Sequence, residues 1–496
     1  MKRFFYRLFR FFWSWGFLKF VLFVITLVVL LYVEEDWRGA RAWAATKAKW
    51  EGRGVSFDLN TYLPPPVPDS QNLAALPLFN LEPDPDPDPE YHGYLVPLTL
   101  QRAFTPNSGN VSLTGLGDWE HGKTTDMKKF RDLIAAQYAA TFPGRVPRAD
   151  TLSQFAELYP FVAELREASA TRPFFRIAQT YELIDHPKES NFRLVTDQIG
   201  VSKYLTWDAI LALNAAKSDQ ALADIKLNTQ LTRGVMDQPT LVSGLVGIGM
   251  TAINLAVVYD GIAAHAWSDV QLEEIEQELA RLDFLAAYPR DMRGECLLML
   301  HAYGEMEGNR FWITAPNQGV PPIYFASGWF DLLKTQMADF QLTQIGYFDL
   351  EERRVDVPGI NRFLDLTQTQ AGWHPFSVLT IFGIAAGPVT NAAEKHSEMQ
   401  VWVDEARIAC ALERFRLAHG AYPSALDALA PQFIEAVPHD VMNGESYHYR
   451  LNADGTYLLY SVGWNQRDDG GVEVKKDNGV SRDYLQGDWP WPMPKR

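Results

Sequence analysis

The 496-residue chain carries 45 Lys and Arg against 61 Asp and Glu, a formal charge of −16. The first 19 residues hold Lys2, Arg3, Arg7, Arg10 and Lys19 and no acid, so removing that +5 leaves −21 on the remainder. Such a body repels phosphate backbones, which excludes nucleic acid as a partner, and the length is enough for two folded units.

From Phe11 to Val33 the chain is apolar and aromatic, broken only by Ser14, Gly16, Lys19 and Thr26. These 23 residues match the length needed to cross a hydrocarbon core of roughly 30 Å. Lys19 can snorkel toward the basic flank, and Trp13, Trp15 and Tyr32 stand where interface anchors belong. Basic residues precede the span and Glu34, Glu35 and Asp36 follow it. The expected topology is a single pass through the cytoplasmic membrane, with the N-terminus in the cytoplasm and the body exported. Tyr32-Val33-Glu34-Glu35 offers no small-residue cleavage site, so an uncleaved anchor is expected rather than a signal peptide.

Trp37 to Trp50 reads as a helix leaving the membrane. Pro64-Pro65-Pro66-Val67-Pro68-Asp69 and the alternating Pro83 to Pro89 run come next. Alternating Pro and Asp lacks amide donors and concentrates charge, which predicts an extended spacer. For the first Pro cluster, a path along the domain surface is the equal alternative.

The pattern then turns helical to about residue 390. Lys203–Ala216 and Asp219–Val235 read as an antiparallel pair with Ser218 as N-cap. Thr240 to Tyr259 is twenty residues without a charge, long enough for a second span. Its Ser243, Gly244, Gly247, Gly249, Thr251 and Asn254 point instead to a buried helix of the body, opened by Pro239. Ser268 and Gln271 form a capping box for a helix striped by Leu272, Ile275, Leu279 and Leu282. Cys296 and Cys410 lie in apolar helical patterns and read as buried free thiols.

Gly117-Asp118-Trp119-Glu120-His121-Gly122-Lys123-Thr124 spells a phosphate loop. Asn110–Thr114 is a weak strand before it, and Asp118 and Glu120 place negative charge inside the cradle. No nucleotide is expected there, despite Gly117, Gly122, Lys123 and Thr124. Glu295 and His301, with Glu305, are read near one helical face as an acid and a base able to hold a metal or a proton. The ordinary reading is a solvated or capping set. His265, His374 and His396 occur singly.

A long helix over Ala393–His419, ended by Gly420 and Pro423, is followed by a short helix Ala425–Leu429 capped by Ser424. Strands Tyr447–Leu451 and Tyr457–Val462 are expected to form a hairpin through Ala453-Asp454-Gly455. Ala411-Leu412-Glu413-Arg414-Phe415-Arg416-Leu417-Ala418-His419-Gly420-Ala421-Tyr422-Pro423, with Leu459-Tyr460-Ser461-Val462-Gly463 and the acidic glycine loop after it, resembles type II secretion major pseudopilins. The resemblance covers roughly residues 400–475. It implies calcium, held where Ser461, Asn465, Asp468 and Asp469 stand; two carboxylates beside Gly470 and Gly471 suit that chemistry. Arg467 pairing with Asp469 is the metal-free alternative. The whole chain is also similar to bacterial membrane-anchored proteins that share this tail and a Trp-Arg-Gly, then Pro-Pro-Pro-Val-Pro-Asp, start, a likeness that brings no activity with it. Pseudopilins begin with a short leader and a Phe-Thr-Leu-Ile-Glu type of start, which this chain lacks. The tail is therefore read as a borrowed docking domain.

The expected fold is mainly α with a smaller α+β domain. Residues 1–35 form the basic tail and anchor, 36–95 the helix and spacer, 96–390 an exported helical-hairpin domain, and 391–496 the pseudopilin-like helix and antiparallel sheet. The expected function is a membrane-tethered scaffold or adaptor for envelope partners, linked to type II secretion or pilus-like machinery. The alternative is an envelope enzyme with its site around Glu295 and His301.

Overall fold

The computed structural model of the protein describes residues 15–79, 82–83, 94–95, 117–177, 192–308, 327–371, 383–476 and 482–492. Helices α1 Trp15–Glu51, α2 Met127–Thr141, α3 Thr151–Leu158 and α4 Phe161–Ser169 come first. They are followed by α5 Phe192–Asn214, α6 Ser218–Met236, α7 Leu241–Ala263 and α8 Asp269–Leu279. The last are α9 Phe284–Gly308, α10 Ser327–Ile345, α11 Val357–Ala371 and α12 Gly383–His419. The chain divides into two compact units, Met1–Thr61 with Cys296–Thr343, and Tyr62–Glu295 with Gln344–Arg496.

In the first unit, the expected anchor and the expected Trp37–Trp50 helix are one continuous helix, α1. Phe11 to Ser14, including Trp13, lie outside the described residues. The most apolar 18-residue stretch of α1 has no buried residue, which makes the helix a candidate membrane span. Beyond that stretch α10 runs alongside it in parallel. Asp36 Oδ1 accepts the Gly328 amide at 2.8 Å at one end. Asp339 Oδ1 accepts Lys49 Nζ at 2.7 Å and Trp50 Nε1 at 2.8 Å at the other. Gly39 and Gly328 make the crossing possible, because a Cβ on Gly39 would stand 2.1 Å from the Gly328 carbonyl oxygen.

In the second unit, α5, α6 and α7 pack against one another, with polar side chains bridging them, although among the described residues Asn228 Oδ1 and Asn254 Oδ1 are buried without a hydrogen bond. Asn228 Nδ2 reaches Thr206 Oγ1 at 3.3 Å, and Asn254 Nδ2 reaches Thr229 Oγ1 at 3.3 Å. Arg166 on α4 binds Asp208 on α5 and, at 2.7 Å, Asp224 on α6. The small residues of 240–259 are contact points. A Cβ on Gly247 would lie 2.3 Å from Met236 Cγ. The most apolar stretch of α7 is 61% buried, as a core helix is. Thr240 caps it, one place after the expected Pro239.

Some boundaries move. Ser218 is the first residue of α6 and makes no side-chain cap there; its hydroxyl accepts from Gln271 Nε2 at 3.0 Å. The Ser268–Gln271 capping box is present, and Leu272, Ile275, Leu279 and Leu282 are all buried. Ser424 does not cap the next turn, a 3-10 helix at Leu426–Ala428. Both cysteines are free and buried.

The first Pro cluster lies on the second unit. Turns at Asp69–Gln71, Leu73–Ala75 and Pro77–Phe79 succeed it, with Leu73 and Phe79 buried. Asn72 ties them down, accepting the Arg176 amide at 2.8 Å and donating to the Arg176 carbonyl at 2.9 Å. Pro64–Pro68 therefore lead into packed turns and not into a free extended spacer. Strands β1 Glu82–Pro83 and β2 Tyr94–Leu95 pair antiparallel, while the remaining Pro/Asp run, Asp84 to Pro89, lies outside the described residues.

α12 starts at Gly383 rather than Ala393, so the expected boundary at 390/391 falls inside a helix. From His396 to Leu412 almost every residue of it is buried, against α7, α8 and the small sheet. A helix apolar on one stripe would leave a wet face, whereas this one is enclosed all round. After the short pair β3 Phe348–Asp349 and β4 Arg354–Val355, the C-terminal sheet runs β5 His448–Leu451, β6 Tyr457–Ser461 and β9 Trp489–Pro490, all antiparallel. Strands β7 Glu473–Lys475 and β8 Arg482–Gly487 form a separate hairpin. Pro490 can sit in β9 because that strand is an edge.

Two glycines of α9 test this packing. A Cβ on Gly294 would stand 1.7 Å from the Pro239 carbonyl oxygen, while one on Gly304 meets nothing within 4 Å among the described residues. Gly294→Ala is expected to cost about 1–3 kcal/mol through overpacking. Gly304→Ala should gain about 0.5–1 kcal/mol of helix stability. Melting midpoints of the detergent-solubilised protein check both; equal shifts would contradict the packing.

Candidate functional site

The sequence-derived sites come apart when the residues are placed. Ser461 is fully buried; its hydroxyl donates to Asp440 Oδ1 at 2.9 Å and accepts the Gly463 amide at 3.1 Å. Asp468 Oδ1 accepts Tyr460 OH at 2.9 Å and the Gly470 amide at 2.9 Å. Asp469 Oδ2 accepts Asn465 Nδ2 at 2.8 Å. That bond fills the place expected for Arg467. Gly470 and Gly471 are left-handed, at φ 78° and 81°, as the tight loop requires. Asp488, which the sequence did not single out, gathers the loop by accepting the Gly471 amide at 2.6 Å and the Asp469 amide at 3.0 Å. Of the four expected calcium ligands, Ser461 has its hydroxyl on Asp440, while Asn465 and Asp469 bond to each other. Among the described residues no three His, Cys, Asp or Glu side chains gather to hold a metal.

Glu295 Oε2 accepts the Leu241 amide at 3.3 Å, at the first turn of α7. Burial raises its pKa, the Leu241 bond opposes this and Asp291 adds to the rise. It therefore caps a buried helix. His301 comes six residues later on α9, and at about 100° per residue that spacing turns the two onto divergent faces rather than one. The Glu305 side chain and His374 lie outside the described residues.

The phosphate-loop motif closes on itself. Asp118 and Lys123 exchange backbone bonds, each N–H to the other's carbonyl at 3.0 Å, around the turn Trp119–His121. Gly122 takes the left-handed conformation, and α2 starts only at Met127 under an Asp126 cap. The indole of Trp119 enters the core, donating to the Ala252 carbonyl at 2.9 Å and lying 5.1 Å from the Trp402 ring. The strand expected over Asn110–Thr114 lies outside the described residues.

What this loop does is bring Trp119 and Glu120 to α12 and His121 to β7. Lys395, Glu398, Trp402 and Glu405 recur on α12 at three- and four-residue spacing, so they share one stripe. Opposite stands Arg482, the first residue of β8. Its Nε lies 3.3 Å from Glu473 Oε1, and its Nη2 donates to the Glu120 carbonyl at 3.2 Å. His121 Nε2 is 3.6 Å from the same Glu473 oxygen. Lys395 Nζ donates to Glu398 Oε2 at 2.8 Å and sits 3.9 Å from the Tyr484 ring centroid. Among the described residues, Arg482 Nη1, Glu398 Oε1 and both Glu405 oxygens are buried without a well-formed hydrogen bond, although the Ser461 amide approaches Glu405 and the Tyr484 hydroxyl approaches Glu398. Burial pushes Glu398 up to about 7, against the pull of Lys395. It also pushes Glu405 well above the carboxylate range, against Arg482.

A buried carboxyl that changes charge near neutral pH, beside an incompletely bonded guanidinium, is the chemistry that marks functional sites; buried structural networks share it. The available signal in the sequence was acids placed inside a helix with apolar residues on every side. A second buried pair was missed for the same reason. His396 Nδ1 faces the Ala392 carbonyl at 2.7 Å, and its Nε2 lies 3.5 Å from Asp291 Oδ2, both side chains fully buried. Gly244 leaves them room, since a Cβ there would fall 2.2 Å from Asp291 Oδ2.

No family model, no curated protein and no solved structure matches this chain.

The raised Glu398 value has a definite sign. A carboxyl whose folded pKa lies above its ordinary 4.5 supports the fold fully below that value, and the support is lost as pH rises through about 7. Glu398→Gln should remove a slope worth on the order of 3 kcal/mol between about pH 5 and pH 8. Melts of both proteins across that range decide. Parallel curves would mean that Glu398 does not titrate there.

Proposed function

We propose that the protein is a membrane-tethered extracytoplasmic scaffold or adaptor that binds cell-envelope partners. The observation that carries this reading is α1, whose apolar stretch has no buried residue and passes without a break into a polar helix clamped to α10. Lys2, Arg3, Arg7, Arg10 and Lys19 on one side and Glu34, Glu35 and Asp36 on the other support a cytoplasmic N-terminus and an exported body. The resemblance of residues 400–475 to major pseudopilins supports type II secretion or pilus-like machinery as the setting. Here the resembling helix is enclosed by α7 and α8, so partners would meet the sheet and loops of the tail rather than a bare helix.

An envelope enzyme is the second reading. With Glu295 occupied as a cap, its support moves from Glu295 and His301 to Glu398 and Arg482.

Calcium belongs to the same reading through the resemblance, narrowed to Asn465, Asp468 and Asp469. Bound ion would stabilise the full-length protein by about 2.7 kcal/mol at a hundred times its dissociation constant. Asp468→Ala with Asp469→Ala should abolish the increment. Melts in calcium and in chelator with identical midpoints would remove the metal from the account.

The topology is tested by adding protease to spheroplasts. The expected result is digestion of the body with a short protected N-terminal fragment; protection of the C-terminal half would overturn the orientation and the single pass.

A further inference from the structure

Trp329 is tied to the point where α1 leaves its apolar stretch. Its Nε1 donates to Glu35 Oε2 at 3.1 Å, and its ring centroid lies 6.1 Å from that of Tyr32. The neighbouring Gly328 amide binds Asp36, and a Cβ on Gly328 would stand 1.9 Å from the Glu35 carbonyl oxygen. The first turn of α10 therefore touches α1 at residues 32–39 and has no slack there.

The register of α1 converts that contact into a depth. Val33 is the last apolar residue of the stretch, and at 1.5 Å per residue Glu35 and Asp36 stand about 3–5 Å past it. The headgroup layer on each side of a hydrocarbon core is roughly 5–8 Å thick. Trp and Tyr favour this layer because one end of each ring is apolar and the other polar. Arg38 and Arg41 come within two turns, with Arg41 lying 5.4 Å from the Trp37 ring centroid. Arg38 pairs with Glu35 Oε2 at 2.7 Å, and the Arg41 charge suits a lipid phosphate.

We propose that the first turn of α10, with Trp329 at its head, is seated in the lipid headgroup layer of the bilayer that α1 crosses. The first unit is then held to the membrane by a two-helix stem. This rests on the reading of α1 as an anchor, which supplies the occupant: the lipid that covers α1 continues onto α10. The clamp at Asp339, with Lys49 and Trp50, keeps the two helices together on the way out.

The test uses full-length protein in phosphatidylethanolamine and phosphatidylglycerol vesicles. Single spin labels are placed at Leu27→Cys, Ser327→Cys and Glu51→Cys; the native thiols are buried and serve as the unlabelled background. Collision with oxygen and with a water-soluble nickel chelate reports depth. Leu27 should read as hydrocarbon, Glu51 as water, and Ser327 between them at headgroup level. A Ser327 label as aqueous as Glu51, with Leu27 still in hydrocarbon, would overturn the stem and leave the anchor standing. A Ser327 label shielded from both agents would assign the surface to protein and overturn it too. An aqueous Leu27 would remove the anchor itself.

Discussion

Enclosing α12 is the constraint on which the second unit depends. A helix that buries Glu398, Asp404 and Glu405 between apolar turns takes three carboxyl groups out of water, and that burial raises the pKa of each. Unpaired, each would cost several kcal/mol. Cations answer, three of them from α12 itself and one from the C-terminal hairpin. Lys395 binds Glu398 from within the helix; Arg407 binds Asp404 at 3.3 Å and reaches Glu276 on α8 at 2.9 Å. Arg414, near the helix end, binds Asp269 and Glu273 on α8 at 2.9 and 3.2 Å. Arg482 comes from the C-terminal hairpin. The hairpin, α8 and the Trp119 loop are thus ordered around one helix, and removing Lys395 or Arg407 would take a cation from a buried acid rather than loosen a surface.

This arrangement changes what the tail can be. As a borrowed domain, its helix would carry its own core and leave a face for docking. Here Val401, Ile408 and Leu412 are fully buried along with the acids between them. The tail packs with α7 and α8 in one compact unit. The first unit is built on the opposite economy. Few residues of α1 are buried, and two glycines and two aspartates hold α10 to it.

Much of this was legible in the sequence, where one periodicity decided the outcome. The long apolar helix α1, the mostly buried α7, the Ser268 box and the β5–β6 hairpin each rested on a local pattern that tertiary contacts had no reason to override. The partners of the candidate site residues were hidden for a different reason. Glu295 and Ser461 carry side chains suited to chemistry, yet the partners that occupy them, Leu241 and Asp440, stand 54 and 21 positions away. Arg482 and Glu398 were passed over because nothing within a helical turn of either hints at the other. The strand β9 was hidden by Pro490, which reads as a breaker until the strand is known to be an edge.

Amide hydrogen exchange on the intact protein tests the shared core most directly. If α12 is the centre of the second unit, its amides from about His396 to Leu412 should exchange with those of α7, in one cooperative step at the slowest rate in the molecule. Exchange of residues 393–496 as a separate, faster unit while α7 stays protected would contradict the account and restore the tail as an autonomous domain.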